Sequence, residues 1–229
     1  MQQRPNVLRT TWQTGPIVSI TIAINIVVFV LWHTADGPRG QAFMAENFLV
    51  STLHLEHGRV WTLLTAAYSH LELWHIALNM FVLWSFGLVL EQLWRPRVFV
   101  GFYLIASVVG SACHCLATSY LLGDDAKAAL GASGAVSGLL MAYALHFPRR
   151  KILLFGVVPV PALIGVVALV GIDVWGLIEQ SRGGGVSIGH GAHLGGALSG
   201  ALMWLFFLRT RFVPDEARAT ADAQIRNRA

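Results

Sequence analysis

The sequence predicts an all-α membrane protein, a six-transmembrane helix bundle with a structured loop between spans 1 and 2. Three observations predict it. Of the 229 residues, 55% are hydrophobic and only 12% are charged, where a soluble domain carries roughly a quarter charged residues. Six windows, 10–35, 73–90, 98–123, 128–148, 152–172 and 183–208, contain no Asp, Glu, Lys or Arg and reach the length a span needs. The basic residues also alternate between the two ends of those windows.

Taken in order, the helix cores fall near 16–34, 73–92, 98–120, 133–147, 152–172 and 189–208. Helices are the default because lipid cannot satisfy exposed backbone groups. The first run is long and no convincing small-residue cleavage site follows it, so it reads as an uncleaved span. Between spans 1 and 2, Val60 to Leu71 is apolar but bounded by Arg59 and Glu72. It is too short to cross and belongs to a structured loop or interfacial segment within 36–72. Pro159 and Pro161 should bend span 5 or let it be displaced. Gly183-Gly184-Gly185 marks a flexible join into span 6. Residues 1–15 are expected to be a cytoplasmic N-terminal segment, 16–208 the six-span domain, and 209–229 a cytoplasmic C-terminal tail.

Orientation follows from Lys and Arg. Twelve of them (Arg4, Arg9, Arg95, Arg97, Arg149, Arg150, Lys151, Arg209, Arg211, Arg218, Arg226 and Arg228) fall on one side. Arg39, Arg59, Lys127 and Arg182 fall on the other. Both termini are therefore expected in the cytoplasm, and the expected location is a bacterial cell (inner) membrane. The net charge of +4 is a topology signal and not a nucleic-acid footprint.

Polar residues inside spans are expensive and mark function. Ser133, within Gly131-Ala132-Ser133-Gly134, opens span 4. A helix from Ser133 to Phe147 is about 22 Å long, shorter than a hydrocarbon core of about 30 Å. Anchored by Arg149-Arg150-Lys151, it should start beneath the outer surface, where irregular backbone requires protein cover or a water-filled cavity. Its N-terminus offers free N–H groups and a positive dipole end to an oxyanion. By itself Ser133 reads more readily as a helix N-cap or as a close-packing small residue.

His193, Gly196 and Gly200 share one face of span 6, and Gly134 and Gly138 make a matching ridge on span 4. Small residues let two such helices approach closely, as a Ser–His pair requires. No Asp or Glu is placed inside the expected spans to orient the histidine, so a dyad is expected rather than a triad. His190 precedes His193 by three, and His75, His114 and His146 are further candidates for a metal or haem. No carboxylate-rich set or His-Glu-x-x-His accompanies them. Cys113-His114-Cys115 lies in an apolar run and reads as helix packing. In span 2, His75 and Asn79 stand at i, i+4 and can both donate hydrogen bonds, either to an oxyanion beside Ser133 or between helices.

These constellations, in this order, resemble the rhomboid family of intramembrane serine proteases. The pattern His-xxx-Asn matches His75 and Asn79. Gly-x-Ser-Gly matches Gly131 to Gly134, and Ala-His-xx-Gly-xxx-Gly matches Ala192, His193, Gly196 and Gly200. His70 sits where the family often has a histidine, and Gly87 with Glu91 looks like its Gly-xxx-Glu element. The resemblance implies Ser133 as nucleophile and His193 as base then acid. It also implies an oxyanion site of His75, Asn79 and the Ser133 N–H, with no metal, nucleotide or other cofactor. Partners would be transmembrane segments of other proteins, cut near the outer face in the lipid bilayer. Two positions depart from the family pattern. Trp61 is followed by Thr62 rather than Arg, which loosens the first loop. Ser137 stands where an aromatic often packs on the histidine, which leaves His193 less firmly oriented. The competing readings are a catalytically inactive rhomboid-like protein that binds client helices, and a haem-binding or transport protein.

Overall fold

The computed structural model describes residues 15–154 and 157–212. The expected N-terminal segment, apart from residue 15, and the tail beyond 212 lie outside the described residues. Helix α1 (Pro16–Thr34) begins with proline at its first turn, where a missing N–H costs nothing. Its next two N–H groups, of Ile17 and Val18, donate to the buried carboxylate of Glu91 at 3.0 and 2.9 Å. The Gly-xxx-Glu element thus caps a helix start whose donors would otherwise be orphaned.

The loop between the first two spans is built from short helices: α2 (Gly37–Phe48), α3 (Thr52–Glu56) and α4 (Thr62–Thr65), the last continuing as a 3₁₀ turn Ala66–Tyr68. Ser51 caps α3 by accepting from the His54 N–H at 3.2 Å. Met44 packs on Val28 and Trp32 of α1, and the Trp32 indole N–H donates to Ser69 Oγ at 2.6 Å. Thr62, the residue in place of arginine, is fully buried and donates to the Arg59 carbonyl at 2.7 Å.

Helices α5 (Leu73–Val82) and α6 (Leu88–Trp94) are joined by a π-helical turn into one span, Leu73–Trp94. After a tight turn at Arg95, α7 (Pro96–Ala117) extends to Leu122. Helix α8 (Ser133–His146) has 14 residues, about 21 Å at 1.5 Å each. Five described helices are long and apolar enough to cross a membrane. The fourth expected span is this shorter α8.

The fifth span is displaced from its expected place. Of the expected helix core 152–172, only 162–172 is helical among the described residues. Strands β1 (Lys151–Leu154) and β2 (Val158–Pro161) pair antiparallel, Lys151 with Pro161 and Leu154 with Val158. Helix α9 (Ala162–Ser181) starts only after Pro161. Pro159 and Pro161 lack the N–H a helix interior requires, so the helix begins behind them and runs on through Asp173. A last long helix, α10 (His190–Met203), continues through a π turn and α11 (Arg209–Arg211).

Helices α7, α8 and α10 make the centre. Phe99, Phe102, Tyr103 and Ala106 of α7 and Leu139, Ala142 and Ala144 of α8 are almost fully buried there. By contrast α9 is the least enclosed span, 17% buried against 50% for the third. Leu73, Trp74, Phe81, Ile164, Trp175 and Phe206 are exposed. Such an extensive apolar exterior is what a lipid-facing surface provides.

Candidate active site

Ser133 is the first residue of α8, and its approach is held from the first loop. The Gly131 N–H donates to the Ala66 carbonyl at 2.9 Å. The Ala132 N–H points to His70 Nε2 at 3.4 Å, and Val50 and Ala129 exchange backbone bonds of 2.9 and 2.8 Å. Burial, reinforced by nearby His75, lowers the His70 pKa to about 3. His70 is therefore neutral near pH 7, and its Nε2 can accept the Ala132 hydrogen bond. Gly131 has φ +120°, and a Cβ there would come within 2.9 Å of the His75 ring. Both the backbone and the space require glycine.

His193 lies in the first turn of α10. Its Nε2 is 2.8 Å from Ser133 Oγ. The glycine ridges bring the two helices this close. A Cβ on Gly196 would overlap the Gly134 carbonyl, and one on Gly200 would overlap that of Gly138. The Ser133 hydroxyl therefore meets a histidine rather than capping its own helix.

His193 is not held by that contact alone. Its Nδ1 is 2.9 Å from Asp173 Oδ1 on α9, and His190 Nδ1 reaches the same oxygen at 2.7 Å. This corrects the expectation that no carboxylate lies inside the spans near His193: Asp173 is within α9 and in hydrogen-bond contact with the ring. The charge-free window ended at 172 because Asp173 is charged. Starting the helix after Pro161 would have placed a carboxylate within the span, itself a pointer to function.

His75 and Asn79 line the same cavity as Ser133, Gly131 and His193, a space of about 460 Å³ walled on one side by Trp74 and Leu78. Asn79 Nδ2 donates one hydrogen to the His75 carbonyl at 3.0 Å, which leaves the second amide hydrogen. All four sequence-predicted site residues thus share one cavity.

The other histidines have separate partners. His114 Nε2 contacts the Lys127 carbonyl at 3.0 Å, and His146 accepts from the Trp94 indole at 3.1 Å. Cys113 packs against Gly195, and Cys115 is buried. Among the described residues, Asp173, His190 and His193 are near enough to share an ion, their ligand atoms lying within 4.8 Å. Two ligands of one tetrahedral zinc stand about 3.3 Å apart, so 2.7 and 2.9 Å fit N–H···O bonds better.

A family model described as Rhomboid domain matches residues 57–210. RHOMBOID-like protein 12, mitochondrial, of Arabidopsis thaliana is 31% identical over 208 residues, 86% of this chain and 59% of the relative. Rhomboid protein 1, mitochondrial, of Saccharomyces cerevisiae is 33% identical over 84% of this chain and 54% of its own length. Presenilin-associated rhomboid-like protein A, mitochondrial, of Danio rerio is 31% identical over 78% and 44%. The chain spans about half the length of these relatives. Their names place them in mitochondria, and a further relative is chloroplastic. This overturns the expected bacterial cell (inner) membrane with its cytoplasmic termini, while the multi-pass membrane character stands. With the domain matched over most of its length and relatives above 30% identity covering more than four fifths of it, the chain belongs to the rhomboid family.

Proposed function

We propose that this chain is an intramembrane serine endopeptidase, acting in an organellar membrane on transmembrane segments of other proteins. The observation that carries the reading is the 2.8 Å contact of Ser133 Oγ with His193 Nε2, lining a cavity at the start of a short helix. Ser133 attacks the scissile carbonyl while His193 Nε2 takes its proton. His193 then returns the proton to the leaving amine, and water releases the acyl group by the reverse sequence. The oxyanion forms beside the α8 N-terminus, whose first N–H groups have no intrahelical acceptor. The free hydrogen of the Asn79 amide and the His75 ring face the same space. A cut near the outer membrane face would follow from a serine at the start of a helix too short to span the hydrocarbon core.

Purified full chain in detergent should cleave a transmembrane test substrate, and a fluorophosphonate probe should label it. Labelling and cleavage should both vanish in Ser133→Ala. Full cleavage by that variant would refute the serine mechanism, and an unlabelled parent that only binds the segment would support an inactive relative. Asn79→Ala should lower kcat by about 10²–10³-fold, the usual effect of losing one oxyanion donor. An unchanged kcat removes Asn79 from that role.

A further inference from the structure

We propose that Asp173 is a positioning residue of this site: it fixes the tautomer and ring plane of His193, and His190 holds it in place, so that the reacting unit is Ser133–His193–Asp173. The proposal rests on the protease reading above. A carboxylate only accepts hydrogen bonds, so both imidazoles that touch Asp173 Oδ1 must carry their proton on Nδ1. For His193 this leaves Nε2 as a bare lone pair, 2.8 Å from the Ser133 hydroxyl. That is the tautomer a general base requires. A histidine without such an acceptor is free to place its proton on Nε2, where it cannot take another from serine.

The surroundings are built for this contact. Asp173 and Gly176 stand one turn apart on α9. A Cβ on Gly176 would overlap the His190 ring, so glycine there lets the ring pack against α9 with Nδ1 on the carboxylate. The side chain of His190 is 4% exposed and that of Asp173 15%. A carboxylate at this depth is expensive unless paired, and two N–H donors from one turn of α10 pair it. Asp173 reaches the reaction through His193 and touches no reacting atom.

The test uses the full chain in detergent. Asp173→Asn keeps the shape but presents an amide whose NH₂ can face the ring and force the other tautomer. Its kcat should fall about 10²–10⁴-fold with KM within about twofold, as when a triad carboxylate is replaced elsewhere. Its thermal midpoint should stay near that of the parent. A kcat within about threefold of the parent would overturn the proposal while leaving the protease reading intact, because Ser133→Ala would still be inactive. Full activity of Ser133→Ala would overturn both. Ring-¹⁵N NMR of the unmutated protein decides the matter even if Asp173→Asn does not fold. His193 should carry its proton on Nδ1 near pH 7, and a proton found on Nε2 overturns the proposal.

Discussion

His193→Ala should lower kcat by about 10⁴–10⁶-fold, and adding Ser133→Ala should cost nothing further. Groups that work as one unit are lost together when either is removed. The 2.8 Å contact makes serine and histidine such a unit. The hydroxyl is a weak nucleophile without a base beside it, and His193 Nε2 is the ring nitrogen in hydrogen-bond contact with it. The residual rate should come from oxyanion stabilisation and binding alone. A double-mutant cycle on cleavage measures this directly. Two losses that multiply would mean the residues act independently, and the proposed mechanism would fail. Fluorophosphonate labelling should follow the same order, because it depends on the same activated hydroxyl.

Gly196→Ala should damage both stability and activity. The added methyl would overlap the Gly134 carbonyl, and backbone cannot rotate aside as a side chain can. Forcing extra volume into such a contact costs about 1–3 kcal/mol, occasionally more. Pushing α10 from α8 also moves His193 off Ser133, and a displacement near 1 Å costs about 10²-fold in rate. Gly171→Ala on α9 is the control. Nothing lies within 4 Å of a Cβ there, so the added methyl should leave the protein intact and favour the helix by about 1 kcal/mol. Thermal unfolding and cleavage compare the two. Equal behaviour would show that the ridges do not set the helix spacing.

Much of this was legible in the chain. The start of α1 at Pro16, the start of α8 at Ser133 and the glycine faces of α8 and α10 follow from apolar runs, breakers and spacing. The four candidate residues that line one cavity are conspicuous in the sequence as polar groups in apolar runs. What escaped was the phase of α9. A charge-free window locates lipid-compatible sequence, whereas two prolines decide where a helix can begin, and here the two rules disagree by ten residues. Accepting the window made Asp173 a boundary marker, although it is the acceptor for two histidines. The contribution of the first loop was equally hidden. The Ala66 carbonyl receiving the Gly131 N–H joins segments 65 residues apart, and no local pattern announces such a bond.

The position of α9 has one more consequence. It is the least enclosed of the apolar spans described, and beside the Gly176–His190 packing its polar contact with α10 is one carboxylate oxygen bonded to two imidazoles. A substrate helix entering on that side and displacing α9 would break both bonds at once. Wall position and base geometry are then one variable: opened far enough, the molecule admits a segment but cannot act on it. On the proposed mechanism, cleavage would require α9 in the position that keeps Asp173 on His193.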